Sequence, residues 1–244
     1  MRGRKNKNFT CVILCAGRGT RIAPCSNEIP KIMLKIKGKP ILDYVINYWK
    51  NYTDDFIFVV GYKKDLVIDY VSSLNIKSRF IEQKEQRGIA DAVLCVKNYV
   101  DKNFLIVLGD CIFNGKFNFT DDFDQKLGVC KTSDKDFIRN NYSVEINKGC
   151  ICNVIEKPKD IVNDFCGMGV YFLNSKVFNY ISKTKPSSLR NEVEITDTIQ
   201  NMIDAGEKIK PIFFEGDYLN ITYPSDLKNA EKIISSLEKI YNFL

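Results

Sequence analysis

Histidine does not occur in this chain of 244 residues. Its absence removes the commonest general base and the commonest neutral metal ligand, and with them every Ser-His or Cys-His nucleophile pair. Any chemistry must therefore run on carboxylates, Lys, Arg, backbone amides or a bound metal. Paired cysteine motifs are missing too. The nine cysteines are scattered, no C-x-x-C occurs, and without His nothing reads as a zinc site. Several lie in apolar runs, where a free thiol behaves as a small hydrophobe, so the expectation is reduced cysteines in a cytoplasmic protein. No segment approaches the ~20 apolar residues of a membrane span. The apolar run 9–16 follows basic residues, but it is short and enters a Gly- and Arg-containing turn instead of a cleavage site. There is no repeat, low-complexity tract or Pro/Ser-rich linker.

What is present suits a folded body: 45% apolar, 12% aromatic and 27% charged residues. The reading is one domain over 9–244, preceded by a basic tail over 1–8. Arg2, Arg4, Lys5 and Lys7 supply four of the six net positive charges, leaving the rest of the chain at +2. A basic start without a basic domain face argues for a solvated terminus and against a nucleic-acid partner.

Buried-strand patterns cover 9–15, 56–60, 79–82 and 104–108, alternating with helical spacing over 40–50, 65–74 and 90–100. That alternation predicts an α/β, Rossmann-like fold: a mixed, mainly parallel sheet with helices on both faces. The second half reads as short strands over 127–131, 142–146, 151–155, 169–173 and 209–214. Helices are expected over 175–181, 195–205 (with Gly206 as its stop) and 224–241. Ligands of open parallel sheets bind beyond the carboxyl ends of strands. Two glycine-bearing turns stand at such ends, after Leu14 and after Leu108.

The first of these turns is the most informative stretch: Leu14-Cys15-Ala16-Gly17-Arg18-Gly19-Thr20-Arg21, then Pro24, Pro30-Lys31 and Gly38-Lys39-Pro40. Glycines after a buried strand let backbone N–H groups approach phosphate oxygens, and Arg21 and Lys31 can neutralise them. It is neither a Walker A loop nor G-x-G-x-x-G.

The constellation resembles the sugar-phosphate nucleotidyltransferases, the nucleotide-sugar pyrophosphorylases, and the resemblance runs from Phe9 to about Lys232. Gln83 with Gly88-Ile89-Ala90-Asp91-Ala92 is similar to the family's base-binding segment. Val107-Leu108-Gly109-Asp110 is similar to its metal-binding strand end, and Glu156-Lys157-Pro158 to its sugar and phosphate contacts. Gly169-Val170-Tyr171-Phe172, Glu192 to Asp197, and Tyr218-Leu219-Asn220 follow in the family's order.

The resemblance implies transfer of a nucleotidyl group from UTP or dTTP to a hexose 1-phosphate, with release of pyrophosphate. The nucleophile is a phosphate oxygen already ionised at neutral pH, so a chain without histidine can run it. Leu14, Ala16, Gly17, Gly19, Thr20, Gln83 and Gly88 would bind the nucleotide. Arg21 and Lys31 would act on the phosphates, and Glu156, Lys157, Gly169 and Glu194 would bind the sugar phosphate. Asp110 and Asn220 would hold Mg²⁺, the expected cofactor. Gln83 favours an imide-bearing pyrimidine, since a side-chain amide offers donor and acceptor together. Asn220 stands where most sugar-specific members have Asp, although the uridylyltransferases for N-acetylglucosamine 1-phosphate use Asn. Ser143 follows Tyr142 where many relatives have Gly, and its hydroxymethyl would crowd the sugar or bond to it.

Alternatives that stay open are guanylyl or cytidylyl transfer on the same fold, a catalytically weak regulatory subunit, and a nucleic-acid binder using the basic tail. Nucleoside triphosphate and sugar 1-phosphate are the expected partners, with no membrane, and a homo-oligomer is allowed.

Overall fold

The computed structural model describes residues 9–119, 125–188 and 191–242, so the expected basic tail over 1–8 lies outside the described residues. The amino-terminal elements are β1 (Thr10–Leu14), β2 (Lys35–Ile36), β3 (Lys39–Pro40), α1 (Ile41–Trp49), β4 (Asp55–Val60), α2 (Lys64–Ser73), β5 (Lys77–Glu82), α3 (Ile89–Leu94) and β6 (Asn103–Leu108). There follow β7 (Cys111–Phe117), β8 (Lys126–Lys131), α4 (Lys135–Asn140), β9 (Tyr142–Asn147), β10 (Cys150–Glu156), β11 (Phe165–Asn174), α5 (Val177–Ile181), α6 (Ile195–Asp204), β12 (Lys210–Asn220) and α7 (Pro224–Asn242).

Ten of the strands form one sheet in the order β5-β4-β1-β6-β11-β8-β12-β7, with β9 joining at β11 and β10 beyond it. The first four run parallel, β11 turns antiparallel against β6, and β12 runs parallel to β8 but antiparallel to β7. The alternation along β1 shows why helices are needed on both faces. Cys11 and Ile13 pack with Leu42, Val45, Trp49, Val67 and Val71 of α1 and α2. Val12 points the other way, among Ala90, Val93, Phe178 and Ile199 of α3, α5 and α6. A third cluster seats Ala230 and Ile234 of α7 on Ile22, Ile36, Ile41 and Ile221.

Several elements differ from the expectation. The strand β7 is absent from the sequence reading because Asn114-Gly115-Lys116 interrupts its apolar pattern. Those residues fit because Gly115 lies opposite Gly216 of β12, in a ribbon so close that a Cβ on Gly115 would sit 2.1 Å from the Glu215 carbonyl oxygen. For the same reason β12 runs on to Asn220 instead of ending at 214. The helix α3 stops at Leu94, short of 100. Beyond it the chain tightens into i→i−3 bonds, from Val96 to Val93 and from Lys97 to Leu94. The short α4 was not expected; Asp134 caps it, its Oδ1 accepting from the Asp136 and Phe137 amides at 3.0 Å.

Candidate active site

At the carboxyl end of β1 the chain leaves the sheet as a loop pinned on both sides. Cys15 donates its amide to the Val59 carbonyl at 2.8 Å, and the Leu14 carbonyl accepts from Gly109 at 3.0 Å. The Ala16 carbonyl accepts from the Tyr62 amide and from Gln86 Nε2 at 2.8 Å. Gly19 turns the loop in the left-handed region (φ 70°), and a Cβ there would lie 2.6 Å from Lys31 Cβ. Only glycine allows both the turn and the lysine behind it.

This loop walls a cavity of about 520 Å³. Leu14, Ala16, Gly17, Gly19, Thr20, Arg21, Lys31, Gln83, Gly88, Asp110 and Lys157, all expected at the site, line it. Four basic side chains (Arg18, Arg21, Lys31, Lys157) and two acidic ones (Asp110, Glu192) face it, a balance that suits a polyanion. A second cavity of about 110 Å³ adjoins it, and Arg21, Asp110, Lys157 and Thr222 belong to both. Glu156, Gly169 and Asn220 line this smaller space, together with Asn141, Tyr142 and Tyr171.

Lys31 and Asp110 join the two spaces. The Lys31 ammonium donates to the Asp110 carboxylate and to the Ile221 carbonyl, the latter at 2.8 Å. An ammonium has three donors, so one is left for a ligand. Asn220 comes alongside because β12 pairs with β7: Asn220 stands opposite Cys111, and the Ile221 amide donates to the Asp110 carbonyl at 3.0 Å. Asn220 Nδ2 reaches Asn141 Oδ1 at 3.4 Å, while its Oδ1 is buried with no donor among the described residues. A buried acceptor without a donor costs about 1–3 kcal/mol. A carboxylate and an orphaned amide oxygen thus stand at neighbouring strand ends, and these are the oxygen donors that could hold a hard divalent cation.

The thiols beside this group are inert. Burial, and then the Asp110 charge, push the Cys15 and Cys111 thiols well above the usual range, so neither is a thiolate at neutral pH.

The smaller cavity has an unusual floor. Between Gly167 and Tyr171 the register of β11 against β8 shifts, which takes Met168 and Gly169 out of the ladder. Two buried tyrosines replace the missing partners. Tyr142 donates its hydroxyl to the Met168 carbonyl at 3.0 Å, and the Gly169 amide donates to the Tyr218 hydroxyl at 2.9 Å. Burial foremost holds both hydroxyls protonated far above the ordinary tyrosine range.

Three expectations change. Glu194 lines neither cavity; it is 2% exposed at the amino-terminal boundary of α6, whereas Glu192 faces the larger space. Ser143 does not line the smaller cavity either. It is buried opposite Cys166 of β11, and its neighbour Tyr142 lines the cavity, because alternate residues of a strand face opposite ways. Gln83 does not offer donor and acceptor together: its Nε2 donates to Asp91 Oδ2 at 2.9 Å and to the Gly88 carbonyl at 3.2 Å. Arg18, Gln86, Asn141 and Thr222 were missed; only Arg18, inside the glycine loop, carried a sequence signal.

Comparison with known proteins bears on the family and the fold. Residues 10–236 match the family model described as nucleotidyl transferase. The chain is 35% identical over 233 residues to the bifunctional protein GlmU of Methanocaldococcus jannaschii, covering 94% of this chain and 54% of that protein. It thus spans little more than half the length of the GlmU relatives it matches. It is 32% identical over 230 residues to the UTP–glucose-1-phosphate uridylyltransferase AglF of Haloferax volcanii, covering 91% of this chain and 94% of that one. Among solved structures it resembles a UDP-glucose pyrophosphorylase complexed with UDP-glucose, with a TM-score of 0.79 and 20% identity over 93% and 98% of the two chains. The inositol-1-phosphate CTP transferase from T. maritima gives the same TM-score at 25% identity, over 93% and 94%. Among the described residues no helix is long and apolar enough to cross a membrane.

Proposed function

Because this chain belongs to the nucleotidyl transferase family, we propose that it transfers a nucleotidyl group from UTP or dTTP to a hexose 1-phosphate of the glucose or N-acetylglucosamine type, releasing pyrophosphate. One observation carries the reading: two unequal cavities meet at Arg21, Asp110 and Lys157. The larger has the amide-rich loop and the cationic excess a triphosphate needs, and the smaller has carboxylate and amide groups for sugar hydroxyls.

The chain's own residues divide the work. Amides of the Gly17–Gly19 loop lie against the nucleotide phosphates, and Arg21 stabilises the charge that develops as pyrophosphate leaves. Lys31 keeps two donors on the protein and gives its third to phosphate. Lys157 orients the sugar phosphate for in-line attack. Its backbone is in the left-handed region (φ 46°), and its amide is tied to the Asn141 carbonyl at 2.9 Å, so the side chain leaves from a fixed point. Asp110 and Asn220 would hold Mg²⁺, which when bound neutralises phosphate charge and aligns the reacting groups. No side chain need accept a proton, in keeping with the missing histidine.

A matrix of UTP, dTTP, GTP and CTP against glucose, mannose and N-acetylglucosamine 1-phosphates, read by pyrophosphate release, tests the reading. Turnover is expected with UTP or dTTP and a gluco-configured sugar. A preference for GTP or CTP would refute the nucleotide assignment, and no release from any pair would refute the enzyme.

A further inference from the structure

We propose that Asp91 is a positioning residue that fixes which face of the Gln83 amide the nucleotide base meets, and so sets uridine over cytidine. The inference rests on the proposed function and deepens it.

Gln83 is 5% exposed and lines the larger cavity at the end of β5. Both hydrogens of its Nε2 are engaged, one on Asp91 Oδ2 and one on the Gly88 carbonyl. Among the described residues no group donates to its Oε1. Turning the amide over would set Oε1 against a carboxylate and a carbonyl at once, two acceptor–acceptor contacts, so the orientation is dictated by chemistry.

Asp91 is itself held. It sits in the first turn of α3, its side chain 13% exposed, and Arg87 Nη2 lies 3.1 Å from the oxygen that Gln83 does not use. Each carboxylate oxygen has one assigned donor. With Asp91 in place, Gln83 shows the cavity an acceptor and no donor. The imide N3–H of uracil or thymine donates to that oxygen. Cytosine carries a bare acceptor at N3, which meets Oε1 in repulsion. Discrimination of this kind, where a polar group is left facing an unsuitable edge, is larger than pocket shape alone supplies.

The test compares wild type with Asp91→Ala and Asp91→Asn after their melting temperatures have been checked. Two ratios are read: kcat/KM for UTP over CTP with glucose 1-phosphate and N-acetylglucosamine 1-phosphate, and calorimetric affinity for UMP over CMP without sugar. Wild type should favour uridine by ~10-fold or more in each. Asp91→Ala frees the amide to turn and should bring both ratios below ~3-fold, through improved use of cytidine. Asp91→Asn keeps one carbonyl oxygen for Gln83 and should retain more of the ratio than Asp91→Ala. A folded Asp91→Ala protein with the wild-type ratios, or a wild type that favours cytidine, overturns the proposal. Should no pair of substrates release pyrophosphate, the proposed function falls, while the UMP and CMP affinities still decide the role of Asp91.

Discussion

Replacing Tyr218 by Phe removes one oxygen from a place where nothing else can take over. Tyr218 is 8% exposed, and its hydroxyl accepts from the Gly169 amide at 2.9 Å, inside the stretch where β11 has lost register with β8. The second contact of that hydroxyl, with Cys111 Sγ at 3.2 Å, is weak and adds little. The cost is therefore that of one orphaned buried amide, about 1–3 kcal/mol. For a protein of this length each kcal/mol moves the melting temperature by roughly 2–4 °C, so Tyr218→Phe should melt roughly 2–12 °C below wild type. Because Gly169 lines the smaller cavity, the kinetic effect should fall on KM for sugar 1-phosphate, with KM for the nucleoside triphosphate little changed. Tyr142→Phe supplies the comparison. It orphans the Met168 carbonyl, and a carbonyl tolerates partial satisfaction better than an amide, so its effect should be smaller. Calorimetry, steady-state kinetics and hydrogen exchange at Gly169 read the three consequences. An unchanged melting temperature together with undiminished protection of the Gly169 amide would refute the reasoning.

Four further outcomes follow from the same structure. Arg21→Ala should lower kcat by ~100-fold or more in a folded protein, with Lys restoring only part of it, and pyrophosphate release measures both. Asp110→Asn should cost at least ~1000-fold, and EDTA should abolish turnover reversibly on Mg²⁺ addition; activity that survives EDTA would remove the metal from the reading. At Lys157, Gly suits the left-handed backbone and Ala does not. Lys157→Gly should therefore be more stable than Lys157→Ala by about 1 kcal/mol in urea denaturation, while both raise KM for sugar 1-phosphate. Asp55 predicts a pH dependence. Burial raises its pKa, but bonds from Lys77 and Thr10 and the Arg79 charge outweigh burial and hold it below the ordinary carboxylate value. Its stabilisation is present above that ordinary value, ~3.9, and is lost as pH falls through the depressed one. The stability gap between wild type and Asp55→Asn should thus be full at pH 7 and close in stronger acid.

The parallel half of the sheet was legible because its strands are buried on both faces. Runs such as Phe56 to Val60 and Phe104 to Leu108 carry no polar interruption, and turn residues follow them. The glycine loop was legible for a related reason: a turn in the left-handed region with Lys31 packed behind it restricts the residue type to glycine. The antiparallel ribbon of β7 and β12 hid itself, since the glycines that let the strands meet look like turn signals in sequence. Side-chain orientation was the other blind spot. The place of Gln83 at the larger cavity could be expected from the resemblance of its segment, but the direction of its amide depends on where Asp91 lands after Gly88 starts a helix. Likewise Ser143 and Tyr142 exchange roles through a strand parity that the sequence does not number.

The last strand carries a consequence for how the protein is made. β12 is inserted between β7 and β8, two strands synthesised long before it, and the bond from Lys31 to the Ile221 carbonyl spans 190 residues. Until that strand emerges, β7 has no neighbour in the sheet order, β8 has one bare edge, and Asp110 has no Asn220 across from it. A nascent chain thus presents open edges on both strands to any other strand nearby, the condition under which newly made proteins stick to one another. Translation pauses or premature stops shortly before residue 210 should be the events that send this chain to chaperones or to inclusion bodies, even though most of its core is already written.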